Sequence, residues 1–138
     1  MLAAVSRSWV VPTTTNLKEL INTKRTYITD HKVSLNMTVN KTGKKGDNIL
    51  STPTLIAEMN KMACSIVDAV TAKTISPVIK HVVIQHKRPI KMGGDFKIQA
   101  EVKRIEPLSV TFHMKGINSE SSEVLGEGDI LVEIVRNE

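Results

Sequence analysis

The chain has 138 residues, of which 41% are hydrophobic and 24% charged, a balance that fits one globular domain long enough to bury a core. Its formal net charge is +5, but Lys and Arg are spread without a dense run, and Trp9, Tyr27, Phe96 and Phe112 are its only aromatic residues. That is too few rings for a base-stacking platform, so a nucleic-acid partner is not expected. A lone cysteine, Cys64, excludes a disulfide framework and a cysteine metal site. No apolar run reaches the ~20 residues that a membrane-spanning helix needs.

Residues 1–15 differ from the rest. They hold Arg7, several Ser and Thr, and no acid; the first acidic residue is Glu19. The composition fits a short mitochondrial presequence, hence the mitochondrial matrix, and equally an ordinary N-terminal extension of a cytoplasmic protein. Residues 16–138 read as the folded domain. Leu17, Leu20 and Ile21 give a weak helical spacing over 17–24. In 26–39, Val33, Leu35, Met37 and Val39 alternate with polar residues, the pattern of a half-buried strand. Residues 40–48, NKTGKKGDN, form a loop by composition.

The longest helical pattern follows, over 49–70. Thr52 is expected as its N-cap and Pro53 as its first residue. Leu55, Ile56, Met59, Met62, Ala63, Ile66, Val67 and Val70 form one broad stripe, wide enough to be wrapped by a sheet. Cys64 on this helix reads as a packing residue. Ser76-Pro77 breaks the pattern, and the period then changes to two. Strands are predicted over 79–88, 96–105, 109–117 and 124–135, with turns at 91–95 and 118–123. Short links make antiparallel neighbours the natural pairing. The class is α+β: an antiparallel sheet wrapped around one long central helix. An exposed sheet edge in so small a protein invites a second copy, so a dimer is expected.

Three segments carry a resemblance. LSTPTLIAEMNKM over 50–62, VIQHKRPIKMGG over 83–94 and LGEGDILVEIV over 125–135 together resemble the hotdog-fold acyl-CoA thioesterases, nearest the fluoroacetyl-CoA thioesterase-like group. Each motif is weak alone; three in order with matching spacing are moderately specific. The resemblance covers roughly residues 17–135. It implies a hotdog fold and hydrolysis of an acyl-CoA thioester, with coenzyme A entering as part of the substrate and no separate cofactor. It implies a homodimer or a dimer of dimers. It also carries Thr52 and His86 onto matching positions as catalytic candidates. The family's acid falls on Asn60, an arginine of the last strand falls on Val132, and a glycine seven residues before the histidine falls on Ile79. These departures argue against fluoroacetyl specificity.

The chemistry of the candidates follows from their types. The Thr52 hydroxyl at a helix N-terminus lies where backbone N–H groups and the helix dipole favour a developing oxyanion. Asn60, ~80° around the helix from Thr52, sits at the rim of the apolar stripe. Its amide holds a water or a carbonyl but is no base. His86 orients Thr52 or a water, or acts as base. Lys87, Arg88 and Lys91 follow it and are candidates for the phosphates of coenzyme A. No histidine pair has metal-ligand spacing, so no metal is expected. Two alternatives remain in other classes. One is a non-catalytic acyl-CoA or acyl-carrier binding protein, motivated by Asn60. The other is a hydratase or dehydratase, whose Asp-x-Asn-x-x-x-His spacing this chain lacks.

Overall fold

The computed structural model describes residues 16–137; residues 1–15, with the presequence-or-extension reading, lie outside them. In chain order the elements are α1 (Leu17–Leu20), β1 (Thr26–Lys32), β2 (Thr38–Val39), β3 (Ile49–Leu50), α2 (Thr52–Asp68), β4 (Ile75–His86), β5 (Asp95–Glu106), β6 (Ser109–Asn118) and β7 (Val124–Arg136). Five strands form one sheet in the order β1-β5-β6-β7-β4, antiparallel at every pairing. β2 and β3 make a separate small pair.

The alternation read from the sequence has a physical consequence in each strand. Val110, Phe112 and Met114 of β6 are buried while their neighbours are not, and Ile130, Val132 and Ile134 of β7 repeat the pattern. From β5 come Phe96, Ile98 and Ala100. Against this face α2 lays Leu55, Met59, Met62, Ala63, Ile66 and Val67. Each large aliphatic side chain removed from water contributes ~1.5–3 kcal/mol, so this shared layer dominates the cohesion of the domain. The helix is therefore the core of the curved sheet, as its broad stripe predicts.

Three local expectations are corrected. The strand expected over 26–39 ends at Lys32: Leu35–Met37 is a turn of 3-10 helix, and Leu35 is 63% exposed. Local hydrogen bonds win there, from Ser34 Oγ to Asn36 Oδ1 (2.6 Å) and from Thr38 Oγ1 to the Leu35 carbonyl (2.7 Å). Val33 alone follows the predicted burial; its N–H donates to the Gly94 carbonyl (2.9 Å). Second, β4 starts at Ile75 and includes Ser76 and Pro77. Proline is tolerated because β4 is an edge strand. Third, the cap of α2 is Ser51 and not Thr52, which changes the reading of the site.

Candidate functional site

Ser51 adopts extended backbone angles, and its Oγ accepts a hydrogen bond from the Thr54 N–H (3.2 Å). Pro53 sits one residue inside the helix, where a missing N–H costs nothing. With the capping role taken by Ser51, the Thr52 hydroxyl is free to turn outward. It meets Nδ1 of His86 at 2.7 Å.

His86 is the last residue of β4 and lies opposite Gly126 of β7, with Ile84 opposite Gly128. A Cβ on Gly128 would stand 1.8 Å from the Val83 carbonyl oxygen, and one on Gly126 would stand 2.8 Å from that of Gln85. The Gly-x-Gly of the last strand thus lets β4 approach closely and seats the histidine. Beyond it, the N–H groups of Lys87 and Arg88 both donate to the Leu125 carbonyl (2.7 and 3.0 Å), fixing the strand exit.

Burial holds the His86 imidazole below its ordinary value. The Arg88 main chain opposes this without reaching hydrogen-bond geometry with Nε2, and the Lys41 charge adds to the lowering. The neutral ring is thus favoured. If Nδ1 accepts the Thr52 proton, the ring hydrogen is on Nε2, which is buried and has no hydrogen-bond partner among the described residues. A hydroxyl held on a neutral imidazole is the arrangement of a nucleophile and its base.

The pair opens into a cavity of about 290 Å³ lined by Val39, Lys41, Ile49, Leu50, Lys87, Arg88 and Pro89. Lys87 pairs with Glu127 (3.2 Å) and Arg88 with Glu123 (3.5 Å). Lys41 has no acidic partner within ion-pair distance among the described residues, and it is the residue that sequence reasoning missed. It belongs to the polar loop between β2 and β3, and only the β2–β3 pairing beside the start of α2 brings it to the site. Lys91 is outside the cavity lining; its backbone bridges Ile49 after Ile90 has turned into the core.

Asn60 lies eight residues into the helix from Thr52, ~12 Å along its axis. Its Oδ1 is buried and accepts no hydrogen bond from the described residues. Glu58 faces the other flank, ~160° away, where it lies 3.6 Å from His31. Burial raises the Cys64 thiol above its ordinary value, with Asp68 adding to the effect, which suits a packing residue. Among the described residues no group of three or more His, Cys, Asp or Glu is placed to hold a metal ion. No described helix is long and apolar enough to cross a membrane.

The signature of the FlK family, fluoroacetyl-CoA-specific thioesterase, matches residues 33–138. The chain belongs to that family. No curated protein matches the chain. Among solved structures, the fluoroacetyl-CoA thioesterase FlK superposes with a TM-score of 0.70 at 11% identity, over 81% of this chain and 86% of that one. A hot-dog-like protein from Thermanaerovibrio acidaminovorans reaches 0.76 at 22% identity, over 87% of each chain. The 1,4-dihydroxy-2-naphthoyl-CoA thioesterase Slr0204 from Synechocystis gives 0.66 at 10% identity, over 81% and 83%. The fold is the hotdog fold, and this FlK-family member is an acyl-CoA thioesterase-like protein.

Proposed function

We propose that the protein hydrolyses an acyl-CoA thioester at the Thr52–His86 pair. The observation that carries this reading is the 2.7 Å contact between Thr52 Oγ1 and His86 Nδ1 at the N-terminus of α2. The direct contact favours the Thr52 oxygen itself as the attacking atom, where the sequence alone left open whether His86 orients Thr52 or a water. Oγ1 bonds to the thioester carbon as its proton passes to Nδ1. The helix N-terminus stabilises the oxyanion, the carbon–sulfur bond breaks, and the coenzyme A thiolate takes the proton. Water then cleaves the threonyl ester with the same base and releases the carboxylic acid. Lys41, Lys87 and Arg88 at the mouth suit the phosphates of coenzyme A. The reaction calls for no separate cofactor.

Thiol release by purified protein from a panel of short, medium and long acyl-CoAs is the direct test. Absence of release with every member, at high protein concentration, rejects the reading. A second reading, acyl-CoA or acyl-carrier binding without turnover, is favoured by one observation: the family's acid is replaced by the amide of Asn60. Tight acyl-CoA binding without thiol release, with activity appearing in Asn60→Glu, selects it.

The proposal includes a homodimer, or a dimer of dimers. β4 ends the sheet on one side and carries Val83, 54% exposed. Light scattering checks the particle mass. The acid-free composition of residues 1–15 supports delivery to the mitochondrial matrix, with the cytoplasm as the alternative; fusion of residues 1–15 to a fluorescent protein decides between them.

A further inference from the structure

We propose that the groove between β1 and the far flank of α2 is a second ligand site, taking a carboxylic acid with an apolar tail. Alternation in β1 points Tyr27, Thr29 and His31 toward the helix. The helix answers with Glu58, Met62, Ser65, Ile66 and Ala69, and the space between is about 460 Å³. That is the size of a small-molecule pocket. Its lining shares no residue with the Thr52–His86 cavity.

The polar groups of the groove divide into spent and unspent. His31 Nε2 meets Thr29 Oγ1 (2.7 Å), and its Nδ1 lies 3.6 Å from Glu58 Oε1, beyond hydrogen-bond reach but within ion-pair distance. Glu58 also faces Lys61 at 3.4 Å, and the His31 ring stacks on Phe96. This network ties β1 to α2 and leaves little capacity for a ligand. Arg25 is different. Its guanidinium lies 4.6 Å from the Tyr27 ring centroid, and no carboxylate pairs with it among the described residues. The Tyr27 and Ser65 hydroxyls, in the same lining, hold no side-chain hydrogen bond among the described residues.

The unspent groups are therefore three donors, one of them a cation, beside a floor of Met62, Ile66, Ala69 and Val70. A planar fork of N–H donors matches a carboxylate. The apolar floor of Met62 and Ile66 matches a hydrocarbon tail. A cationic head would be repelled by Arg25, whose charge has no acidic partner among the described residues, while Lys61 is offset by Glu58. The inference does not depend on the hydrolase reading.

Calorimetric titration of the full chain with octanoate tests it. Saturable binding is expected, weakened about tenfold or more by Arg25→Gln, the usual effect of losing a charge-assisted pair. Ala69→Phe, which fills the groove, is expected to remove binding, and Thr52→Ala to leave it unchanged. Octylamine is expected to bind at least about tenfold more weakly than octanoate. Three results overturn the proposal: no saturable octanoate binding; loss of binding in Thr52→Ala but not in Arg25→Gln, which puts the acid in the Thr52–His86 cavity; or a change of particle mass in Ala69→Phe, which makes the groove an interface between copies. If Ala69→Phe fails to fold, the exposed Arg25→Gln variant decides alone.

Discussion

The Thr52 hydroxyl and Nδ1 of His86 meet at 2.7 Å across 34 positions of chain, one side chain from a helix start and the other from a strand end. Because Ser51 and not Thr52 caps the helix, removing the hydroxyl separates chemistry from stability. Thr52→Ala and His86→Ala are each expected to lower kcat/KM for the best acyl-CoA by at least ~100-fold. Ser51→Ala is expected to cost ~1 kcal/mol of stability, the usual penalty for a lost cap, while Thr52→Ala leaves the urea midpoint nearly unchanged. Parallel unfolding and activity curves check both halves. Equal destabilisation by the two substitutions would return Thr52 to a capping role.

The acid limb of the pH profile is the second expectation. Burial, with Lys41 adding, lowers the folded-state value of His86, so the neutral base persists below the ordinary value of about 6.5. The pH dependence of kcat/KM should therefore fall off only below that value, and Lys41→Ala should move the limb upward. The same shift has a sign for stability. The unfolded chain takes up its proton first as pH falls, so stability is lost from about 6.5 down to the folded-state value and is unaffected by His86 above it. Activity and urea midpoints at stepped pH measure the two.

The glycines of β7 give a third. A Cβ at position 128 would stand 1.8 Å from the Val83 carbonyl oxygen, a contact that only backbone movement relieves. Gly128→Ala is expected to cost ~1–3 kcal/mol, the scale of overpacking, and to pull His86 away from Thr52. Gly126→Ala, with its closest contact at 2.8 Å, should cost less stability and still depress activity, because position 126 faces His86 itself. Amide hydrogen exchange along β4 follows the loosening directly.

Lys41 supports a fourth. Lys87 and Arg88 each face an acidic partner, Glu127 and Glu123, while Lys41 faces none among the described residues. Lys41→Ala should raise KM for acyl-CoA more than Lys87→Ala or Arg88→Ala, with kcat little changed. Against an acyl-pantetheine thioester, which lacks the nucleotide phosphates, Lys41→Ala should have no effect on KM. Rising salt should shrink the difference, since the contact is exposed.

The large features were legible because burial imposes a period. Phe112 and Met114, or Ile130 and Val132, declare their strands by alternation, and the stripe from Leu55 to Val67 declares its helix. The Thr52–His86 encounter was reached through the family resemblance, since the two residues belong to different periodicities. Residues 33–39 misled because the same alternation is compatible with a turn once Ser34 and Thr38 bond locally. Ser51 and Thr52 are both favoured caps by type, and one residue of backbone geometry decides between them. Lys41 carried no signal at all: its place in the cavity lining depends on where β2 and β3 pair, a long-range fact that no local pattern encodes.

The sheet order gives the site a place in time as well as in space. β7 lies between β6 and β4, so the histidine strand has no protein neighbour in the main sheet until the final strand arrives. During synthesis β4 emerges early and waits with both edges open, the condition under which strands mispair. His86 is registered against Gly126, and Ile84 against Gly128, so the strand that seats the histidine is the last one made. A chain stopped short of β7 would carry both Thr52 and His86 but lack the strand against which β4 is registered, so the proposed hydrolysis is expected to need the complete sheet.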